Sequence, residues 1–180
     1  MIETSYLILG GNSGDRMDNL LRAVDMLRVE AGRVVALSAV YESEPWGFDD
    51  PCWFLNQVAV VKTSLAPLNL LECIQRIEQT LGREHSHEGY HARTMDIDIL
   101  LYGNQIIDFP GLVIPHLRIA ERMFVLQPMT ELAPDLEHPV LHCTMEQLRD
   151  KCTDIKQVRY YFPNALNNCP NMFITFTTVC

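Results

Sequence analysis

The sequence contains no P-loop motif and no pair of cysteines separated by two residues. The first absence excludes the glycine-rich phosphate loop of P-loop nucleoside triphosphatases, and the second excludes a spacing common in redox and zinc sites. No uncharged apolar run is long enough to cross a bilayer. Basic residues are scarce, with 14 lysines and arginines against 23 acidic residues and a formal net charge of −9. This balance argues against broad binding to nucleic acids or anionic membranes, while a local basic pocket stays compatible with it.

Length and composition are those of a single globular domain, with 180 residues of which 48% are hydrophobic and 21% charged. Six cysteines are scattered from Cys52 to Cys180, and the opening Met-Ile-Glu-Thr-Ser-Tyr lacks the pattern of a signal peptide. We therefore expect a cytoplasmic location and free thiols. Disulfide bonds are the alternative, and the sequence does not choose among their pairings.

Hydrophobic periodicity predicts strands and helices in the order β-α-β-β-α-β. The predicted strands are Tyr6–Leu9, Arg33–Ser43, Phe54–Thr63 and Met95–Tyr102. The first helix is predicted to be capped by Asn12 or Ser13 and closed by Gly32, and the second to extend from Pro67 to Gly82. This order indicates an α+β fold of the ferredoxin-like type, an antiparallel sheet with both helices on one face. The chain after about residue 110 is predicted to be an irregular C-terminal extension with short helices, one of them at Met145–Lys151.

The C-terminal segment carries no charged residue after Arg159. Within it, residues 173–179 have strong β-propensity without a protecting charge. Such a segment could add to a sheet edge, bury itself or mediate self-association. A terminal segment that only packs on the domain is equally compatible with the sequence.

Two aspartates in the last predicted strand are the sharpest local signal. Because strand residues alternate between faces, Asp96 and Asp98 are expected on one face, with Ile97 and Ile99 turned to the core. The Cα atoms of the two aspartates are expected ~6.5–7 Å apart. Paired carboxylates at this spacing can hold one or two Mg²⁺ ions, which in turn bind phosphate oxygens. A solvated polar face is the alternative, although like charges on one face repel each other.

The polar segment between Gly82 and Ala92 is predicted to be a loop, and a loop of this length inside a compact domain is often functional. It could supply Arg83, together with the adjacent Arg93, to a polyphosphate and then close over the ligand. A surface loop without function is the alternative. The histidines in and beyond this loop are interpreted as solvated side chains and not as a zinc site.

Other candidate residues suggest contacts with a flat heterocycle and a nucleotide. Phe54 and Asn56 share a strand face, and an aromatic ring beside an amide suits a heterocycle. Gln75 and Glu78 lie three residues apart on one predicted exposed helix face and could contact a ribose or a base. The segment 115–124 concentrates cationic side chains in an acidic protein. A buried structural Phe–Asn pair and solvated helix ends are the alternatives.

Several short motifs stand in a fixed order along the chain. They are Leu7–Asn12, Tyr41–Gly47, Phe54–Asn56, Arg76–Glu78, Arg93–Ile99, Val113–His116 and Arg122–Pro128. Over residues ~4 to ~150 this set resembles the 6-hydroxymethyl-7,8-dihydropterin pyrophosphokinase family, and the combination is far more specific than any one motif. The resemblance implies a ferredoxin-like fold. It also implies transfer of the β,γ-pyrophosphoryl group of ATP to the hydroxymethyl oxygen of the pterin, a step of folate biosynthesis.

The resemblance further implies roles for charged residues. Asp96 and Asp98 would bind two Mg²⁺ ions that bridge ATP and the acceptor. Arg83 and Arg93 would hold phosphates and promote transfer. The positions that match ATP contacts of the family are Gln75, Glu78, Arg93, Ile99, His116 and Arg122.

For the pterin, the resemblance implies an aromatic and polar pocket. Phe54 and Phe124 would sandwich the ring, and Asn56 would form hydrogen bonds with its edge. Ser43 and Trp46 would contribute mainly backbone contacts. The implied pyrophosphokinase domain spans residues 1–160, and residues 161–180 form a tail of unknown role. The implied partners are ATP and the pterin, and no binding to nucleic acid or membrane is implied. Formation of an oligomer through the tail stays an alternative.

Two other functions stay open, one because of differences from the family and one because of the C-terminal tail. His85, Tyr90 and Ala92 stand at loop positions where the family commonly has arginine, tryptophan and proline. A non-catalytic relative that binds a pterin or a nucleotide in the same pocket is therefore one alternative. An interaction module that associates through its β-prone tail is the other.

Overall fold

The computed structural model describes residues 1–82 and 93–162 of the chain. These residues form a mixed α/β fold in which helices pack on an antiparallel sheet. The strands are β1 (Glu3–Gly11), β2 (Arg33–Leu37), β3 (Tyr41–Ser43), β4 (Phe54–Thr63), β5 (Asp96–Tyr102), β6 (Ile107–Phe109), β7 (Leu112–Ile114) and β8 (Val158–Tyr160). The helices are α1 (Arg16–Glu30), α2 (Pro67–Thr80), α3 (Met123–Leu132) and α4 (Met145–Lys151), with a 3₁₀ turn at Ile119–Glu121.

The main sheet has six strands in the order β5-β1-β4-β3-β8, with β2 also paired to β4. All of these pairings are antiparallel, in agreement with the expectation from sequence. Strands β6 and β7 form a separate hairpin. Strand β1 lies between β4 and β5, so residues of all three strands are fixed relative to one another by backbone hydrogen bonds.

Helices cover both faces of the sheet, and each face has its own core. One core joins Leu27 of α1 and Ile74 of α2 to strand residues such as Leu9. The other joins Val125 of α3 and Leu148 of α4 to the opposite face of the same strands. The two helices predicted from the first half of the chain therefore share a face. The segment predicted to be an irregular extension provides both helices of the other face.

The sequence predicted short helices after residue 110 but gave no bounds for α3, and Pro128 lies inside this helix. A proline lacks the amide N–H that would continue the helical hydrogen bonds, so it normally argues against a helix interior. Here the neighbouring Val125, Leu126 and Met129 are at most 1% exposed. Burial of this apolar face against the sheet outweighs the lost hydrogen bond.

The predicted strand Arg33–Ser43 is divided into β2 and β3 at residues 38–40. Ser38 lies at the break, where its Oγ accepts a hydrogen bond from Val58 N and its carbonyl accepts one from the Gln57 amide. The prediction of one continuous strand was therefore wrong. A serine hydroxyl that replaces a backbone partner in this way interrupts the regular pairing of a strand.

The N-cap of α1 is Asp15, not Asn12 or Ser13 as predicted. The Asp15 carboxylate accepts a hydrogen bond from Asp18 N and so satisfies one of the first free amides of the helix. Gly14, at φ +68°, turns the chain into the helix in a conformation that glycine adopts without strain. The side chain of Asn12 has a different partner, described below.

Cys73, Cys143 and Cys152 carry free thiols, as expected. Cys52 is disulfide-bonded, so the expectation of free thiols was wrong for this residue. Across residues 1–82 and 93–162, no helix has the length and hydrophobicity needed to span a membrane.

Replacing Leu27 with alanine is expected to lower the free energy of unfolding by about 2–5 kcal/mol, because its fully buried side chain would leave a cavity between α1 and the sheet. Chemical denaturation followed by circular dichroism measures the change. Leu21→Ala is the matched control, since Leu21 lies on the same helix with 53% of its surface exposed. We expect the control to change stability by less than about 0.5 kcal/mol. Equal losses in the two variants would contradict the assignment of the core.

Candidate active site

A cavity opens on the sheet face that carries α3, next to the start of that helix. Its lining residues are Ile8, Gly10, Ser43, Glu44, Trp46, Phe48, Phe54, Asn56, Arg93, Asp96, Asp98, His116, Arg122 and Phe124. Ten of them are among the site residues predicted from the sequence. The structure thus brings together a set of carboxylates, cations and aromatic rings that are far apart in the chain.

The floor of the cavity is set by the register of three strands. Gly10 of β1 pairs with Asp96 on one side and with Asn56 on the other, and Ile8 pairs with Asp98. Asp96 and Asp98 lie on the cavity face with side chains 24% and 39% exposed. Ile97, between them, is 3% exposed and packs in the core with α1 and α2. The alternation expected from the sequence is confirmed.

Gly10 creates space for the amide of Asn56. A Cβ atom at position 10 would lie 2.9 Å from Asn56 Oδ1. The Asn56 side chain is almost fully buried, and its Nδ2 donates a hydrogen bond to Ser43 Oγ at 2.8 Å. The serine hydroxyl therefore holds the Asn56 amide in place at the cavity.

Arg93 is positioned through its backbone by Asn12. Arg93 N donates to Asn12 Oδ1 at 2.8 Å, and Arg93 O accepts from Asn12 N and Ser13 N. Gly11 allows this close approach, since a Cβ there would lie 2.4 Å from Thr94 O. The Arg93 guanidinium then forms an ion pair with Asp96 at 2.5 Å. One cation and one carboxylate of the cavity are therefore partners of each other.

His116 is held in its neutral form beside the second aspartate. Burial, assisted by the positive charges of Arg122 and Arg118, lowers the pKa of His116 to about 4. Its Nδ1 accepts a hydrogen bond from Arg118 N, so the proton of the neutral ring lies on Nε2. Nε2 is 3.8 Å from Asp98 Oδ2. The imidazole therefore presents a hydrogen-bond donor, without a net charge, at the acidic pair.

Trp46 stacks against two guanidinium groups. Arg118 and Arg122 lie 5.2 Å and 4.7 Å from the centre of its ring, and Arg122 lies 5.5 Å from the ring of Phe124. The side chain of Trp46 thus contacts the cationic wall, beyond the backbone contacts expected. The Arg122 Nε atom is buried and, in the part of the chain that the structure describes, has no hydrogen-bond partner. Buried N–H groups of this kind are usually satisfied by water or a ligand.

Four lining residues were not predicted as site residues, Ile8 and Gly10 of β1 and the loop residues Glu44 and Phe48. Phe48 packs edge-to-face against Phe54, with ring centres 6.0 Å apart. Glu44 and Phe48 follow β3 in the irregular loop before β4. The sequence offered one signal for Phe48, an aromatic residue in the same loop as Trp46. That signal did not indicate which way the loop folds.

Three predicted ATP contacts lie away from this cavity. Gln75 is exposed on α2. Glu78 is 3% exposed, so its expected place on an exposed helix face was wrong. Its Oε1 accepts a hydrogen bond from Ile97 N at the start of β5, which explains its burial. Ile99 is 5% exposed in the core. The predicted phosphate contact Arg83 lies outside the described residues.

The carboxylates fit a magnesium ion that is shared with a ligand. In the regions 1–82 and 93–162, no group of three or more His, Cys, Asp or Glu side chains is arranged to hold a metal ion alone. Mg²⁺ is usually bound by one or two carboxylates together with substrate phosphates. Asp96 and Asp98 supply two such carboxylates in an open cavity. The donor set suits Mg²⁺ and not zinc, which prefers nitrogen and sulfur ligands.

Comparison with known proteins identifies close sequence relatives. The chain is 44% identical over 137 residues to 2-amino-4-hydroxy-6-hydroxymethyldihydropteridine pyrophosphokinase of Porphyromonas gingivalis, a match covering 74% of this chain and 92% of that protein. It is 42% identical over 140 residues to the enzyme of the same name from Pseudomonas aeruginosa, covering 77% and 86%.

A solved structure has the same fold. The Plasmodium falciparum HPPK-DHPS crystal structure with pteroate superposes with a TM-score of 0.70 over 84% of this chain, at 16% identity. The chain spans 44% of the Plasmodium chain. At this identity the likeness concerns the fold alone.

The sequence profile of 7,8-dihydro-6-hydroxymethylpterin-pyrophosphokinase (HPPK) matches residues 6–134. This range contains every residue that lines the cavity. The chain therefore belongs to the 7,8-dihydro-6-hydroxymethylpterin-pyrophosphokinase family.

Proposed function

We infer that this chain is a diphosphokinase that transfers the β,γ-pyrophosphoryl group of ATP to 6-hydroxymethyl-7,8-dihydropterin, giving AMP and the pterin diphosphate in folate biosynthesis. The observation that carries this conclusion is one cavity in which an acidic pair, two arginines and an aromatic-amide pocket meet. This arrangement supports binding of the triphosphate, of Mg²⁺ and of the pterin ring. The individual residue roles below are our proposals.

The pterin is proposed to bind between Phe54 and Phe124, with its polar edge at Asn56. Flat heterocycles gain stacking energy from aromatic faces on both sides. The hydrogen bond from Asn56 to Ser43 fixes the orientation of the amide before the ligand arrives. A preorganised amide loses less entropy on binding than a mobile one. Trp46 is proposed to close the pocket on the side of the arginines.

The triphosphate of ATP is proposed to bind along Arg93, His116 and Arg122. Arg122 offers the buried Nε donor that has no partner among residues 1–82 and 93–162. His116 offers a neutral Nε2–H, and Arg93 offers a guanidinium now paired with Asp96. A phosphate is an acceptor that all three donors can share. The ion pair of Arg93 with Asp96 would open as the arginine turns to phosphate.

Asp96 and Asp98 are the residues that we propose hold two Mg²⁺ ions. When bound, Mg²⁺ would offset phosphate charge and lower the pKa of the hydroxymethyl group. When Asp96 separates from Arg93, the carboxylate would gain Mg²⁺ as its cationic partner and the guanidinium would gain a phosphate. Neither charge would then be left without a partner.

The chain's own contribution is positioning and charge stabilisation. In the transfer, a bond forms between the hydroxymethyl oxygen and the β-phosphorus, the bond from that phosphorus to the oxygen of AMP breaks, and the hydroxyl proton is released. No protein nucleophile is required for such a reaction. The aromatic pocket orients the acceptor, and Arg93 and Arg122 stabilise charge on the transferred group.

We also propose the finer descriptions that sequence analysis suggested. The core β1-α1-β2/β3-β4-α2-β5 is proposed to be ferredoxin-like, supported by the strand order β5-β1-β4 and by α1 and α2 on one face. Residues 1–160 are proposed to be the catalytic domain. Self-association through residues 161–180 stays a prediction. A cytoplasmic location stays a prediction as well, and the proposed use of ATP supports it.

Replacing Asp98 with asparagine is expected to lower kcat by about 10²-fold or more, since losing a charged metal ligand removes ~3 kcal/mol of transition-state stabilisation. The assay measures AMP and pterin diphosphate by chromatography with Mg²⁺, ATP and the reduced pterin, and the two products must appear together. Asp108→Asn is the matched control, an exposed strand aspartate on β6. A fully active Asp98→Asn enzyme would contradict the metal role, and absence of AMP from the unmodified protein would contradict the proposed function.

Replacing Phe124 with leucine is expected to raise the KM for the pterin by about tenfold, because a leucine keeps the apolar volume but loses the stacking face, worth ~1–3 kcal/mol. Steady-state kinetics at saturating ATP measures the change. Phe109→Leu is the control, since Phe109 lies on β6 with half of its surface exposed. An unchanged KM in Phe124→Leu would place the pterin elsewhere.

A further inference from the structure

Residues 154–161, which we call the C-terminal brace, lie beyond the family match at residues 6–134. None of them lines the cavity. The brace nevertheless contacts two segments that contain cavity-lining residues. One is the start of α3, and the other is the chain from β3 into the following loop. These two segments carry the residues proposed to enclose the pterin.

The first contact of the brace is with the start of α3. Asp154 Oδ2 accepts a hydrogen bond from Met123 N at 3.0 Å, and Asp154 Oδ1 accepts one from Lys156 N. Met123 stands between two lining residues, Arg122 and Phe124. The N-cap residue Arg122 makes no side-chain capping hydrogen bond of its own. Asp154 thus supplies the missing cap from a distant part of the chain.

The second contact is with β3 and the residue after it. Strand β8 pairs antiparallel with β3, placing Val158 opposite Ser43 and Arg159 opposite Glu42. The pairing continues beyond the strand, where Glu44 N donates to Gln157 O at 3.1 Å. Ser43 and Glu44 both line the cavity. The brace therefore fixes the point at which the chain leaves β3.

Ion pairs around the buried Glu42 join the same brace to the far end of the loop. Glu42 is 7% exposed and binds two arginines, Arg16 at 2.9 Å and Arg159 at 2.7 Å. Arg16 also donates to the carbonyl of Trp53 at 2.6 Å, and the Arg159 guanidinium lies 4.6 Å from the Trp53 ring. Trp53 is the last residue before β4. Both ends of the loop 44–53 are thus tied to Glu42 and its partners.

We propose that the brace positions the pterin pocket, and that Arg159 is a positioning residue for the pterin through Glu42 and Trp53. The proposal rests on the proposed function for the identity of the ligand. Arg159 holds the loop that carries Trp46 and Phe48, whereas the ATP-side residues Arg93 and Asp96 are held by Asn12 and by the pairing of β5 with β1. Loosening the loop therefore acts on the pterin more than on ATP.

The test is a comparison of Michaelis constants in Arg159→Ala. We expect the KM for the pterin to rise about tenfold, with the KM for ATP and the kcat within about twofold of the unmodified enzyme. Arg159→Lys keeps the positive charge next to Glu42 but loses the pair of hydrogen bonds that two arginine nitrogens donate to Glu42 Oε2. Compared with Arg159→Ala, it should therefore restore much of the affinity for the pterin. Arg149→Ala is the matched control, because Arg149 forms ion pairs only within α4 in the described chain.

Hydrogen exchange gives a second readout that does not depend on activity. In Arg159→Ala, amides of the loop 44–53 should exchange faster, with those of β5 unchanged. Equal increases of both Michaelis constants, or faster exchange throughout the protein, would overturn the positioning role and indicate a general loss of stability. Unchanged pterin KM and unchanged loop exchange would overturn it as well. Failure of the proposed function can be distinguished from failure of the positioning role. It would appear as absence of AMP in assays of the unmodified enzyme, and the hydrogen-exchange result would still test the brace.

Discussion

Side chains alternate between the two faces of β1, β4 and β5, and both the core and the cavity depend on that alternation. Leu9 and Ile97 point to α1 and α2, while Gly10 and Asp96, beside them in the chain, point to the cavity. A shift of β5 by one residue would exchange the aspartates with the isoleucines. Burial of the apolar face therefore also keeps the two carboxylates at the site. No separate interaction is needed to choose which face carries the chemistry.

This coupling explains why part of the site could be predicted from sequence. The strand positions of Asp96, Asp98 and Asn56 follow from a period of two, which is a local property of the chain. Polar residues at these alternating positions, within runs of Ile, Leu and Val, are expected on the strand face opposite to the apolar one. The same reasoning applied to α2 failed for Glu78, because a helical pattern does not reveal that a carboxylate can be buried against a free strand amide, here Ile97 N.

The contacts that complete the site join distant parts of the chain. Asn12 binds the backbone of Arg93 across 81 positions, and Glu42 binds Arg159 across 117. Neither pair belongs to one helix or hairpin, so no local periodicity indicates it. Helix α3 shows the related case in which a strong local signal, Pro128, was outweighed by burial. Long-range packing decided these features, and it requires the folded chain.

The charges of the cavity also determine which form of a nucleotide it suits. Arg93, Arg118 and Arg122 lie in or beside the cavity, and Asp96, Asp98 and Glu44 line it, so local charge is nearly balanced within a protein of net charge −9. His116 adds no positive charge near neutral pH, because its pKa is about 4. A bare triphosphate would meet three carboxylates as well as three arginines. In the proposed binding mode, Mg²⁺ held by the aspartates would remove that repulsion, and the arginines would then be available to the phosphates. On that proposal, the acidic pair would favour a metal–nucleotide complex over the free polyanion.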